Sequence, residues 1–237
     1  MDSFSGSYDD SFRKIENLMF YPWVGADYRH AALKILFVGE SHYGTSRELA
    51  PADRTMKTRL VLEECLSGVC IPSFFQEMTK VFFAGDFSRW KQVAFFNYIQ
   101  ASMESVKERP SAPLLHAAWE PFEAVLAVLA PDIVICASTK VYRALRTPAA
   151  GTWELCDPLY TNPLVRHAVY HSAKQGKTLD IVFYAIWHPS RWRFARASCR
   201  EQLKGVFEKI LGDALSEAFA KGESSRVPSC ENFISHI

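Results

Sequence analysis

Four short apolar segments, each followed by residues of helical period, most constrain what this chain can fold into. They are Leu33–Val38 closing on Gly39, Gln92–Asn97, Ile133–Ala137 and Ile181–Trp187. None shows the strict apolar–polar alternation of a half-exposed strand, so each reads as a strand covered on both faces. Helical spacing follows at 55–66 (Met56, Leu60, Val61, Cys65) and at 73–82, with Ser73 as N-cap before Phe74, Phe75, Met78, Val81 and Phe82. It recurs over 111–129, where Pro121 is placed to divide the run, at 139–145 behind a Ser138 or Thr139 cap, and at 195–219. This alternation predicts a single α/β domain: a central four-stranded, mostly parallel sheet with helices on both faces. Residues 1–16 read as a polar lead-in, 17–220 as the domain and 221–237 as a mobile tail. Residues 147–178, with Pro148, Gly151, Pro158 and Pro163, fit either a loop excursion or a small hairpin.

Composition supports a packed core. The 237 residues are 49% hydrophobic, which excludes a disordered chain and a mini-protein held by staples. None of the six cysteines forms a C-x-x-C pair, and the Cys65–Cys70 spacing fits no common zinc site. His167 and His171 stand four apart without a third ligand nearby, so no metal, iron–sulfur cluster or other cofactor is expected. The acidic start lacks the pattern of a signal peptide, and no window approaches the ~18 apolar residues of a membrane span. The expectation is a soluble, cytoplasmic monomer with no membrane partner. A net charge of +1 excludes a global electrostatic grip on nucleic acid but leaves room for a local basic patch.

Open parallel sheets bind ligands at the carboxyl ends of their strands. The tips here are Gly39-Glu40-Ser41-His42-Tyr43-Gly44, Asn97-Tyr98, Ala137-Ser138-Thr139-Lys140 and His188-Pro189-Ser190. Each has an ordinary alternative: polar residues at strand ends are common turn chemistry, and an aromatic there often only packs. The ordered set is more informative than any member. Gly39-Glu40-Ser41-His42-Tyr43-Gly44 resembles the first motif of the uracil-DNA glycosylase superfamily, with tyrosine at the fifth place. Pro72-Ser73-Phe74-Phe75-Gln76-Glu77-Met78 resembles the proline-serine helix start of its best-known branch. Phe95-Phe96-Asn97 is similar to its strand ending in asparagine, Trp119-Glu120-Pro121-Phe122 to a helix signature, and His188-Pro189-Ser190 to its second catalytic motif. The resemblance covers about residues 33–210, in order, and implies the three-layer sandwich of that superfamily.

It also implies a chemistry. Such enzymes flip a damaged nucleotide into a pocket and cleave its N-glycosidic bond. Asn97 matches the base recogniser, whose amide offers one acceptor and two donors to the edge of uracil. His188 matches the group that stabilises the leaving base anion. Tyr43 matches the ring that crowds the C5 side of the base, and Phe74 or Phe75 the ring that stacks on it. Ser41 stands where the best-known branch has its water-activating aspartate, and Glu40 offers a carboxylate one place earlier. His42 replaces the usual proline and joins the base-facing loop. DNA contacts, to a single- or double-stranded partner carrying a damaged base, fall to Ser73, Ser138, Lys140, Ser190, Arg191, Trp192, Arg193 and Arg196. The last four belong to Arg191-Trp192-Arg193-Phe194-Ala195-Arg196, which alternates cations with rings, suited to phosphates and bases; a solvated helix start with rings on the core is the plain alternative. Two functions follow as expectations. One is a base-excision glycosylase-like hydrolase with Glu40, Ser41 and His188 as its catalytic residues. The other is a binding module of the same fold that holds a modified base or nucleotide without cleaving it.

Overall fold

The computed structural model describes residues 2–44, 51–105, 107–145, 152–154, 165–174, 177–189 and 197–220. Its strands are β1 Trp23–Val24, β2 Ile35–Gly39, β3 His42–Tyr43, β4 Ala94–Asn97, β5 Ser102–Met103, β6 Ile133–Cys136, β7 Thr152–Glu154, β8 Arg166–Lys174 and β9 Lys177–Ala185. Its helices are α1 Asp9–Phe12, α2 Pro51–Ser67, α3 Ser73–Phe82, α4 Ala112–Ala117, α5 Trp119–Leu129, α6 Thr139–Leu145 and α7 Ala197–Ala220. They form an α/β fold around one main sheet.

The sheet corrects the four-strand expectation. The four expected strands are adjacent and mutually parallel in the order β4-β2-β6-β9, but they are the centre of a mixed seven-stranded sheet, β1-β4-β2-β6-β9-β8-β7. β1 is antiparallel to β4 on one side; on the other, β8 is antiparallel to β9 and β7 is antiparallel to β8. Two-residue β1 is too short to leave a pattern. β8, with Arg166, His167, His171 and Lys174, is too polar to read as a strand covered on both faces. The stretch left open between loop and hairpin contains β8, which pairs with β9 as a long hairpin from Arg166↔Ala185 to Lys174↔Lys177. His167 and His171 therefore sit on a strand, where a four-residue separation spans about 13 Å rather than one helical turn.

Alternate residues of the central strands feed two cores. Leu36, Val38, Phe96, Val134, Cys136 and Phe183 pack under α5 and α6 with Phe12. Ile35, Phe37, Phe95, Ile133, Ile135 and Tyr184 pack against α2, α3 and α7. The helices thus cover both faces, as the period-2 geometry of doubly buried strands requires.

Three local expectations change. Ser73 is the first residue of α3, not its cap; Pro72 holds the cap position. The 111–129 run breaks at Ala118 rather than at Pro121, which sits in the first turn of α5 where its missing N–H costs little. In α2 the buried face carries Thr58, Arg59, Leu62 and Cys65, whereas Leu60 is 46% exposed. Residues 2–16 also join the fold: Phe12 is buried, Phe4 bridges Gly25, and Asp9 pairs with Arg59. No helix among the described residues is long and apolar enough to cross a membrane. The expected tail, 221–237, lies outside the described residues.

Candidate functional site

β2 lies between β4 and β6; the connection after β2 carries α2 and α3 on one face of the sheet and the connection after β4 carries α5 on the other, so the chain parts at two adjacent carboxyl ends. Open α/β sheets bind ligands at that kind of switch point. Gly39 and Asn97 are register partners across β2 and β4. A Cβ on Gly39 would stand 2.4 Å from Asn97 Oδ1 and 2.9 Å from Cζ of Phe95, so only glycine leaves room for the Asn97 amide where it is. That amide makes no side-chain hydrogen bond to another described residue.

Beyond the strand ends lies a cavity of about 230 Å³. That is below the ~300–1,000 Å³ of drug-sized sites, so it suits a small ring. Glu40, Ser41, His42 and Tyr43 line it from the β2 end and β3, Phe74 and Phe75 from α3, Asn97 from β4 and His188 from the segment after β9. These eight are sequence-expected site residues, brought together from four separate stretches. α2 adds Lys57, Thr58 and Val61, which the sequence reading missed, and Pro72 and Phe95 complete the wall.

The polar groups are held individually. Glu40 is buried, and its Oε2 accepts a hydrogen bond from Ser138 Oγ at 2.9 Å. Ser138 Oγ also accepts from the Val141 N–H at 3.3 Å, so it caps α6 while its one proton goes to Glu40. At 3% exposure Ser138 lies beneath the cavity rather than on a surface that could meet a phosphate. Ser41 Oγ is buried with no hydrogen-bond partner among the described residues. Such an orphan is uncommon and invites a partner from a ligand.

His42 Nε2 lies 2.9 Å from Thr58 Oγ1, and its ring meets Phe20 edge-on at 4.7 Å between centroids. Burial first, and the Lys57 charge second, push its pKa down to about 3. His42 is therefore a neutral donor–acceptor, not a cation. Because its folded pKa is depressed below the ordinary ~6.5, its contribution is fully present above pH ~6.5 and is lost as pH falls toward 3. Between pH 7.5 and 5.5 the loss is about 1.4 kcal/mol. Urea unfolding at those two pH values should show a drop in wild type that His42→Gln lacks; equal drops in both would contradict this.

The ring wall is graded. Phe74 is half-buried, 5.4 Å from the His188 ring and 5.7 Å from Phe95. Phe75 is buried against Trp90 and Phe95, at 5.4 and 5.0 Å. Of the two, Phe74 is the ring with a face left for a ligand. Burial pushes the Cys65 and Cys136 thiols up to about 12, which keeps them protonated and unreactive at neutral pH.

Of the expected DNA contacts, Ser73 and Lys140 stand on separate helices, α3 and α6. Ser73 is exposed at the start of α3, and Lys140 Nζ donates to the Pro110 carbonyl at 2.7 Å. Ser190, Arg191, Trp192, Arg193 and Arg196 lie outside the described residues. Arg200, a further cation of that basic stretch, is bound to Glu77 of α3 at 2.9 Å and so ties α7 to the helix that carries Phe74. No family model matches this chain, and no curated protein matches it.

Proposed function

We propose that the protein is a base-excision glycosylase-like hydrolase that cleaves the N-glycosidic bond of uracil or another damaged base flipped out of DNA. The observation that carries this is one small cavity, at the switch point of the sheet, holding a buried carboxylate, an amide with no side-chain partner among the described residues, an imidazole and a ring. Hydrolysis of such a bond passes through an oxocarbenium-like sugar and an anionic leaving base. Asn97 reads the base edge, Phe74 stacks on it, Tyr43 limits its size, and His188 donates toward the departing charge. Glu40, held by Ser138, orients water and faces the developing positive sugar. Arg191, Arg193 and Arg196 with Trp192 are assigned to the DNA backbone and the gap left by the flipped base.

Glu40→Gln keeps the shape and removes the charge. Single-turnover release of uracil from a single-stranded oligonucleotide should fall about 10²- to 10³-fold. A second reading rests on Ser41, which has a hydroxyl where the best-known branch of the resembled superfamily has its catalytic aspartate: a module that holds a modified base without cleaving it. That reading expects ligand binding, seen as a thermal shift, to survive Glu40→Gln with no base released by either protein.

A further inference from the structure

Lys57 is the unexplained group in this cavity. It lines the wall from α2, and its ammonium donates to the Tyr43 carbonyl at 3.2 Å and to Ser102 Oγ at 3.2 Å. Both acceptors are neutral. Among the described residues no carboxylate pairs with Lys57, and the titratable ring beside it, His42, is itself uncharged. The Phe20 ring is distant, its centroid 6.0 Å from the ammonium. A half-buried cation with no counter-charge among the described residues is costly, and burial lowers its pKa accordingly. Such a cost is tolerated where the site later supplies negative charge. The same cavity holds the Glu40 carboxyl group, which enters from the β2 end.

We propose that Lys57 is a further catalytic residue, whose ammonium offsets the negative charge that develops on the leaving base. This rests on the glycosylase reading. In the step, the C1′–N1 bond breaks and its electron pair stays on N1 of the base. The oxygen of water bonds to C1′, and one proton of that water passes through the Glu40 carboxylate to the departing base. Lys57 keeps its proton throughout and acts by charge alone. The wall is then matched to the transition state: Glu40 faces the sugar cation and Lys57 the base anion. Interactions of that kind lower the barrier because they strengthen as charge separates.

The test is the dependence on leaving group. Single-turnover release is measured from oligonucleotides carrying uracil or 5-fluorouracil, whose N1 anion is intrinsically more stable. Lys57→Met should slow uracil by about 100-fold and 5-fluorouracil by only about 10-fold, because the better leaving group needs less help. Ser102→Ala removes one acceptor of the Lys57 clamp but leaves the charge, and should leave the ratio of the two rates at the wild-type value. Equal slowing of both substrates by Lys57→Met, or no slowing, overturns the proposal. So does a ratio that moves as far in Ser102→Ala as in Lys57→Met, since that marks Lys57 as a clamp only. Wild-type protein that releases neither base overturns the glycosylase reading itself, a separate result from normal wild-type release with an unshifted ratio in Lys57→Met.

Discussion

Gly39→Ala is expected to slow base release by about 10²-fold or more, by displacing the side chain of Asn97 rather than by removing one of its own. The added Cβ would meet Asn97 Oδ1 at 2.4 Å and the Phe95 ring at 2.9 Å. Backbone pairing across Gly39↔Asn97 fixes that approach, so the amide must turn out of the cavity. Phe95 is buried in the core and yields less readily; overpacking there costs about 1–3 kcal/mol. The loss of activity should exceed what the loss of stability explains. A double-mutant cycle separates the two: with Asn97→Ala already present, Gly39→Ala should slow release little further. Full additivity would show that Gly39 does not act through Asn97.

Asp9→Ala is expected to cost about 2–3 kcal/mol of folding stability, a large part of the ~5–15 kcal/mol typical of a domain. Its partner Arg59 is 1% exposed on α2. Arg59 gives both terminal nitrogens to the Asp9 carboxylate and its Nε to the Pro22 carbonyl at 3.3 Å, and its guanidinium lies 4.8 Å from the Phe4 ring. Removing Asp9 strands that charge in the interior, which is worse than never burying it. Arg59→Met in the same chain should therefore recover much of the loss. Urea midpoints at pH 7 measure both; a loss under about 0.5 kcal/mol for Asp9→Ala would mark an ordinary surface pair. The residues Lys57 and Thr58 precede Arg59, so the same variant should loosen the cavity wall they form.

The contrast between α2 and the central strands explains what a sequence can and cannot reveal. β2, β4, β6 and the Ile181–Ala185 end of β9 feed both cores, so nearly every residue there had to be apolar, and that leaves a plain signal. Glu40, Asn97 and His188 were legible because each directly follows such a run. Arg59 and Lys57 were not. A helical Arg or Lys normally marks the solvent face, and only Asp9, fifty residues away, makes burial of Arg59 tolerable. Read locally, Leu60 belonged inside, yet it is exposed while Arg59 is buried. Ser138 shows the same limit: next to a strand end it suggested a DNA contact, but its hydroxyl serves Glu40 from another strand. The strands flanking that centre were hidden for the opposite reason, since β1 is too short and β8 too polar to stand out.

The most direct measurement is chromatographic detection of free base after wild-type protein meets single- and double-stranded oligonucleotides containing uracil. It should begin at low ionic strength, because a near-neutral protein that held DNA through the few cations of residues 191–200 would lose that affinity quickly as salt rises. The expected result is release of uracil with an abasic site left in the strand, lost in His188→Ala and in Asn97→Ala. No free base from uracil or any other deaminated base, with a thermal shift on binding that persists in Glu40→Gln, would contradict hydrolysis and leave a binding protein.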